Sequence, residues 1–310
     1  MGAKKILIKL KEERLNEKLP SSTTIGNILD KHGLVVPRKF RKRYPEKNTP
    51  LAHAKRPNDL WCIDFKGWFK TDDGVKCEPF TVSDAASRFI LFCSQLHSNK
   101  GTDVWKTLEN LFYEYGLPLY LRHDNGPPFA TSGAGRLSRL SVSLIKAGII
   151  PEWIDPGKPH QNGRHERMHR TLKEEAVSSF RLTFKEQQMK LKEFQQYYNT
   201  QRPHESLGQV TPSSIYTLSD HTWDGKLRSP EYDGEFIVKR VRERGQLSWN
   251  GVDIYIGKTL KNEPIGLKED ADGYSVFYGP IFLGIINYAG SFITPCKPTR
   301  PKRKYKTQCY

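Results

Sequence analysis

No stretch of this chain holds about 18 or more consecutive apolar residues, so nothing in it reads as a membrane-spanning helix. The start, Met1-Gly2-Ala3-Lys4-Lys5, lacks the apolar core that follows the charges of a secretory signal. Cysteine is scarce: five in 310 residues (Cys62, Cys77, Cys93, Cys296, Cys309), odd in number and scattered. That pattern argues against a disulfide scaffold and for a reducing compartment. None of the five forms a Cys-x-x-Cys pair or meets a histidine at zinc spacing, which argues against a zinc-binding module. The expected location is the cytoplasm. Acidic residues are also few, 34 against 50 lysines and arginines, for a formal net charge of +16. Such an excess raises encounter rate and non-specific affinity for a polyanion and makes binding salt-dependent. A nucleic acid is the expected partner; a ribosomal or membrane-surface role is the alternative. The length allows two or three domains.

Three carboxylates sit in contexts that would aim them at one point. Asp64 interrupts the apolar run Trp61-Cys62-Ile63-Asp64-Phe65, which reads as a buried strand. Asp124 ends Leu117-Pro118-Leu119-Tyr120-Leu121-Arg122-His123, a short strand running into an Asn125-Gly126 turn. Glu166 follows Pro159-His160-Gln161-Asn162-Gly163 and opens a helical stretch. A charge in a core strand is costly unless compensated. Hard divalent cations compensate it, since Mg²⁺ takes oxygen ligands and is held by a few carboxylates plus substrate phosphates. Each acid alone has a plainer reading: a strand Asp paired with arginine, a turn Asp, a solvated helix Glu. Together they suggest a two-metal site that cuts phosphodiesters.

On the helix of Glu166, His169, Arg170 and Lys173 lie three, four and seven residues on and share its face. Met168 and Leu172 point toward the core. That face offers a metal ligand followed by cations for DNA phosphates, against the plainer reading of a solvated face. His165 and His169, four apart, imitate a zinc pair, but the carboxylate partners favour Mg²⁺. Lys158, just upstream, is a further candidate phosphate contact.

Along the chain, residues 1–36 read as two helices, with Ala3, Ile6, Leu7, Leu10 and Leu15 as the first apolar set. Ser21-Ser22 offers a cap to the second helix, Ile25, Ile28 and Leu29 make its apolar face, and Gly33 stops it. Thr23, Thr24, Asn27 and Lys31 are left facing outward, as in the second half of a helix-turn-helix that reads a major groove. A packing hairpin without DNA contact is the alternative. Residues 37–59 form a linker with four prolines and eight lysines or arginines, expected to be extended. Its cations Arg38, Lys39, Arg41, Lys42 and Arg43 are candidates to track phosphates.

Strands are expected over 60–70, 78–84 and 88–96, with Asp72-Asp73-Gly74 as a turn. A helix over 102–115, a strand over 119–123, a helix over 136–147 and a strand over 149–154 complete an α/β mixed sheet of ribonuclease-H-like kind. A long polar helix over 184–198 then meets Gln201-Arg202-Pro203-His204. Arg202 there is a candidate contact to DNA or a second subunit, with packing of the turn equally open. Short runs over 236–241, 246–249, 252–256, 274–278 and 281–286 suggest a small β-barrel. The expected division is 1–36, linker 37–59, core 60–220, β-barrel 232–294 and a basic tail 295–310.

The segments around Asp64, Asp124 and Glu166 resemble the integrase catalytic core of DDE transposases and retroviral integrases. Bacterial insertion-sequence transposases are the nearest kind, since they share the tail Tyr198-Asn199-Thr200-Gln201-Arg202-Pro203-His204-Glu205-Ser206-Leu207, then Thr211-Pro212 and Tyr216. The resemblance covers roughly residues 1–220. It implies that Asp64, Asp124 and Glu166 are the metal-binding triad, with two Mg²⁺ or Mn²⁺ ions per active site. It implies cleavage at transposon terminal inverted repeats, joining to target DNA, and a dimer or larger synaptic assembly near the bacterial nucleoid, with no membrane partner. It implies an SH3-like barrel that binds DNA or mediates assembly.

The chain departs from the retroviral pattern in three ways. It holds 41 residues between Asp124 and Glu166, several more than that pattern, and the excess is placed at Ala130-Thr131-Ser132-Gly133-Ala134-Gly135 as a flexible stretch outside the sheet. The retroviral zinc-binding module is absent. The first residues correspond to the interior of a helix-turn-helix, so an upstream DNA-reading unit is expected. Asp84 reads as structural, pairing with Arg88, and is the substitute metal ligand should the triad fail. Two other functions remain open: a transposase-derived DNA binder without catalysis, and a structure-specific nuclease of the same fold.

Overall fold

The structure, a computed structural model, describes residues 2–14, 17–35, 54–155, 159–177, 182–271 and 273–293. The linker cations Arg38, Lys39, Arg41, Lys42 and Arg43, the candidate Lys158 and the basic tail lie outside the described residues.

Two helices come first, α1 (Ala3–Glu13) and α2 (Ser22–Lys31). The Ser21 hydroxyl caps α2 by accepting the Thr24 N–H at 3.1 Å. Its apolar face is only partly covered: Ile25 is buried, whereas Ile28 is exposed.

The central sheet is built from β1 (Leu60–Phe65), β4 (Pro79–Asp84), β5 (Ile90–Gln95), β6 (Tyr120–His123) and β7 (Ile150–Trp153), in the order β5-β4-β1-β6-β7. β4 and β5 are antiparallel, and β6 and β7 parallel. The Ala85 N–H meets the Leu60 carbonyl and the Lys66 N–H meets the Pro79 carbonyl, a descending register that makes β1 and β4 antiparallel too. Three antiparallel strands followed by a parallel pair joined through a helix give the mixed, ribonuclease-H-like sheet expected from sequence. The run 60–70, expected as one strand, is broken. Gly67 sits at φ +85°, turning the chain into a hairpin of β2 (Phe69–Lys70) and β3 (Lys76–Cys77).

The helices are α3 (Gly101–Tyr115), α4 (Arg139–Lys146), α5 (Gly163–Leu172) and α6 (Phe184–Thr200). α3 buries Val104, Leu108, Leu111 and Phe112, the set its spacing picks out. α4 starts later than the expected residue 136 because Ser138 and Ser141 form a capping box there.

The last strands are β8 (Ile237–Arg240), β9 (Gln246–Trp249), β10 (Val252–Tyr255), β11 (Pro264–Asp270), β12 (Gly273–Tyr278), β13 (Ile281–Asn287) and β14 (Phe292–Ile293). They make an antiparallel sheet ordered β14-β13-β12-β11-β8, and β9 and β10 pair separately. β11 was not expected from the sequence. Only its first half alternates, burying Ile265 and Leu267, while Lys268-Glu269-Asp270 is exposed. One hydrophobic cluster joins Val241, Leu247, Ile265, Leu267, Val276, Leu283 and Ile286 of this β-module to Leu137, Val142 and Ile145 at and before α4.

The described residues pack as two compact units. One lies within 1–61, 65–95 and 163–218; the other within 62–64, 96–162 and 219–310. Among the described residues no helix is long and apolar enough to cross a membrane.

Candidate active site

Asp124 stands at the end of β6, where the backbone is held on several sides. Arg122, fully buried, gives two N–H groups to one Glu152 oxygen, at 2.8 Å from Nε and 2.6 Å from Nη2. Its Nη1 also donates to the Gln161 carbonyl at 3.1 Å. His123 is buried against Phe129 and Trp153 and donates its Nδ1–H to the Asp124 carbonyl at 2.8 Å. The Gly126 N–H donates to Asp124 Oδ1 at 3.1 Å. Asn125 donates to the Ile154 carbonyl at 2.6 Å and accepts from Arg136 at 2.9 Å.

Burial pushes the Asp124 carboxyl above the ordinary carboxylate range, and the Gly126 N–H only partly offsets this. Asp64 is half-buried near the end of β1, the strand beside β6, after four fully buried residues. Two oxygen-donor anions on adjacent strands, one of them short of solvation, form a donor set that suits a hard divalent cation.

Breaking the pair under β6 should be costly, because it leaves a buried guanidinium uncompensated. Glu152→Ala is expected to lower stability by about 3–5 kcal/mol, with Glu152→Gln losing less. Urea unfolding measures both, and an unchanged midpoint for the alanine variant would show that Arg122 finds solvent.

Glu166 is exposed in the first turn of α5, in the other compact unit. Among the described residues, no three or more His, Cys, Asp or Glu side chains are grouped closely enough to hold a metal. The structure thus sets Asp64 and Asp124 at neighbouring strands within one compact unit.

His169 does not join the exposed face of Glu166. It is buried, with Nε2 2.7 Å from Thr81 Oγ1, while His165 lies 2.8 Å from the same hydroxyl and 2.8 Å from Ser83 Oγ. Three residues along a helix rotate about 60°. That step carries His169 from Glu166 toward Leu172, so it completes the buried stripe His165, Met168, His169, Leu172 and Ala176. The sequence holds both relations: three residues from Glu166, which suggests a shared face, and four from His165 and three from Leu172, which set His169 in the buried stripe. Burial lowers the His165 and His169 pKa values to about 3 and about 2, so neither is a phosphate-binding cation.

Arg202 is also engaged internally. It pairs with Glu175 and lies 5.9 Å from the Tyr198 ring centre, so it packs the turn. Arg170, Lys173, Thr23, Thr24, Asn27 and Lys31 are exposed.

Asp84 is structural, but its partners differ from the expected Arg88 pairing. Its oxygens accept the Asn58 N–H at 2.8 Å and both the N–H and hydroxyl of Ser87 at 2.6 Å. Arg88 donates from its guanidinium to the Ala85 carbonyl at 2.7 Å and from its backbone N–H to the Asp84 carbonyl at 3.1 Å. With both oxygens bonded inside the fold, Asp84 is a poor substitute ligand. Arg122, Glu152 and Gln161 went unrecognised in the sequence, where nothing marks an Arg–Glu pair 30 residues apart.

The sequence matches the integrase core domain family in succession over residues 54–159 and 147–212, covering 54–212 of the 310. The chain belongs to the integrase-core family. The chain is 28% identical over 181 residues to the 39.2 kDa protein of insertion element IS476 from Xanthomonas euvesicatoria, covering 57% of this chain and 49% of that protein. It is 30% identical over 187 residues to the 31.7 kDa protein of insertion element IS407 from Burkholderia multivorans, covering 59% and 64%. The chain thus spans less than two thirds of either relative. The Pol polyprotein of radiation murine leukemia virus is 32% identical over 124 residues, 40% of this chain and 20% of that one. A chain of the simian T-cell lymphotropic virus intasome structure, in complex with PP2A regulatory subunit B56 gamma, aligns over 91% of this chain and 94% of its own, with TM-score 0.45 and 15% identity.

Proposed function

We propose that this chain is a DNA transposase that cuts the terminal inverted repeats of a mobile element and joins the freed 3′-OH to target DNA. The observation that carries the reading is Asp124. It is a desolvated carboxylate at the end of β6, beside the strand that bears Asp64, within an integrase core.

In this reading Asp64, Asp124 and Glu166 hold two Mg²⁺ or Mn²⁺ ions. Bound there, such ions supply Lewis-acid activation of the attacking oxygen and neutralise charge at the scissile phosphate. The protein's own part is to fix the carboxylates. The Arg122–Glu152 pair and the His123 N–H clamp the backbone on either side of position 123, and the Gly126 N–H orients one Asp124 oxygen. In cleavage, a water oxygen bonds phosphorus, the bond to the 3′ oxygen breaks, and the water proton ends on that oxygen. In joining, the 3′ oxygen bonds a target phosphorus, the bond to the target's own 3′ oxygen breaks, and the hydroxyl proton ends on that leaving oxygen. No covalent link to protein is required. The exposed Arg170, Lys173 and α2 residues are proposed DNA contacts, and two DNA ends held together call for a dimer or larger assembly. The site of action is proposed to be the bacterial cytoplasm, at the nucleoid.

The test is a strand-transfer assay on labelled end DNA taken from the sequence flanking the gene. Joined products are expected in Mn²⁺ and none in EDTA. Cleavage without joining would favour a nuclease of the same fold, and binding without cleavage a non-catalytic DNA binder.

A further inference from the structure

Residues 130–137, which connect the Asp124 loop to α4, are folded rather than slack. The Thr131 N–H donates to the Arg136 carbonyl at 3.0 Å, the Arg136 N–H to the Gly133 carbonyl at 3.0 Å, and the Thr131 hydroxyl to the Leu137 carbonyl at 2.8 Å. Ala130 and Leu137 form an antiparallel bridge. The stretch expected to be a flexible excess is therefore a closed turn.

One side of this turn lies flat on the C-terminal β-module. Gly135 has φ +60°, and a Cβ placed there would come within 2.7 Å of Leu283 Cδ2 and 3.1 Å of Ile281 Cγ2 on β13. Leu137, at the end of the turn, shares the hydrophobic cluster with Leu283. A side chain at position 135 would be strained at this φ and would have to push Leu283 aside.

The other side reaches the candidate active site. Arg136 follows directly, itself at φ +57°, and sends Nη1 to Asn125 Oδ1 at 2.9 Å. The other end of that amide donates to the Ile154 carbonyl at 2.6 Å. The amide is thus bonded at both ends, and it ties Asn125, the residue after Asp124, to Arg136 on one side and to the backbone at Ile154 on the other.

We propose that Arg136 is a positioning residue for Asp124, and that the β-module sets its place through the close seat of Gly135 on Leu283 and Ile281. The inference rests on Asp124 being a metal-holding carboxylate. It makes catalysis depend on docking of the β-module as well as on any DNA contact that module makes.

The experiment uses the full chain carrying Arg136→Ala, Arg136→Lys, Gly135→Ala or the double change Gly135→Ala with Arg136→Ala. Strand transfer is titrated with Mn²⁺, while DNA affinity and melting temperature are measured on the same preparations. Loss of a residue that orients a metal ligand typically costs roughly 10- to 100-fold in metal affinity or activity. Arg136→Ala is therefore expected to raise the half-saturating Mn²⁺ concentration by about tenfold or more at unchanged DNA affinity, with lysine restoring most of it. Gly135→Ala should give a shift of the same kind, and the double variant one no larger than the greater single shift.

Wild-type Mn²⁺ dependence in Arg136→Ala overturns the proposal. So does a loss confined to DNA affinity, which would make Arg136 a phosphate contact. Additive shifts overturn the route through Gly135. Arg136→Ala and its lysine rescue decide the matter even where Gly135→Ala lowers the yield of folded protein. An active Asp124→Asn variant in the same assay would instead withdraw the metal-ligand reading of Asp124 beneath the proposal.

Discussion

Asp124→Asn is expected to abolish metal-dependent joining while leaving the fold as stable as before, or more so. Asparagine keeps the size of the side chain and an oxygen to accept the Gly126 N–H, so the turn survives. What it removes is the anion. The loss should exceed the roughly 10- to 100-fold typical of residues that only orient a metal ligand, since Asp124 is proposed to touch the ions themselves. Stability should move the other way. Burial holds the Asp124 carboxyl above its ordinary range, so at neutral pH the charged form is a burden on the fold that a neutral amide relieves. Joining measured in Mn²⁺ and melting temperature measured without it give the two readouts. Retained joining would remove Asp124 from the chemistry. A sharp fall in melting temperature would make its role structural.

Acid should unfold this protein well above the pH at which ordinary carboxylates titrate. Burial lowers the pKa of His165 to about 3, of His169 to about 2, of His204 to about 3 and of His123 to about 4. All four are bases that the fold keeps neutral, and an unfolded histidine titrates near 6.5. Their contribution is intact above that value and is lost as pH falls below it, because the unfolded chain then binds protons that the folded chain refuses. Each such proton costs about 1.4 kcal/mol per pH unit. With His123, His165 and His169 the most deeply buried of the four, the decline reaches about 4 kcal/mol per unit between pH 6 and the first folded-state pKa near 4.

His123 shows the cause plainly: its Nδ1–H is spent on the Asp124 carbonyl, and Nε2 has no hydrogen-bond partner among the described residues, so a second N–H would be buried unmet. Asp84 and Asp124, whose carboxyls are raised, take up protons more readily in the fold and soften the fall at the acid end. Melting temperature followed from pH 7.5 to 4.5 is the measurement. A flat profile would show that water reaches these rings.

Which parts of this were legible in the sequence follows from the range of the interactions. The Ser21 cap and the apolar spacing of α3 act over a few residues, and the structure places them as read. The break at Gly67 and the late start of α4 are also local, but glycine and serine each carry several meanings and neither marks such a break by itself. The ion pair of Arg122 with Glu152 and the seat of Gly135 on Leu283 join residues far apart in the chain, and nothing local marks them. His169 is the instructive case. Its three-residue spacing from Glu166 suggests a shared exposed face, whereas its spacing from His165 and Leu172 places it in the buried stripe, and the second relation is the one the structure shows.

The hydrophobic cluster shared by α4 and the β-module has a genetic consequence. A copy of the gene interrupted after codon 218 would leave Leu137, Val142 and Ile145 without the partners that cover them. Its product would expose apolar surface and be removed by aggregation or proteolysis. On the function proposed above, decayed copies of that kind would therefore not persist as soluble competitors for DNA ends.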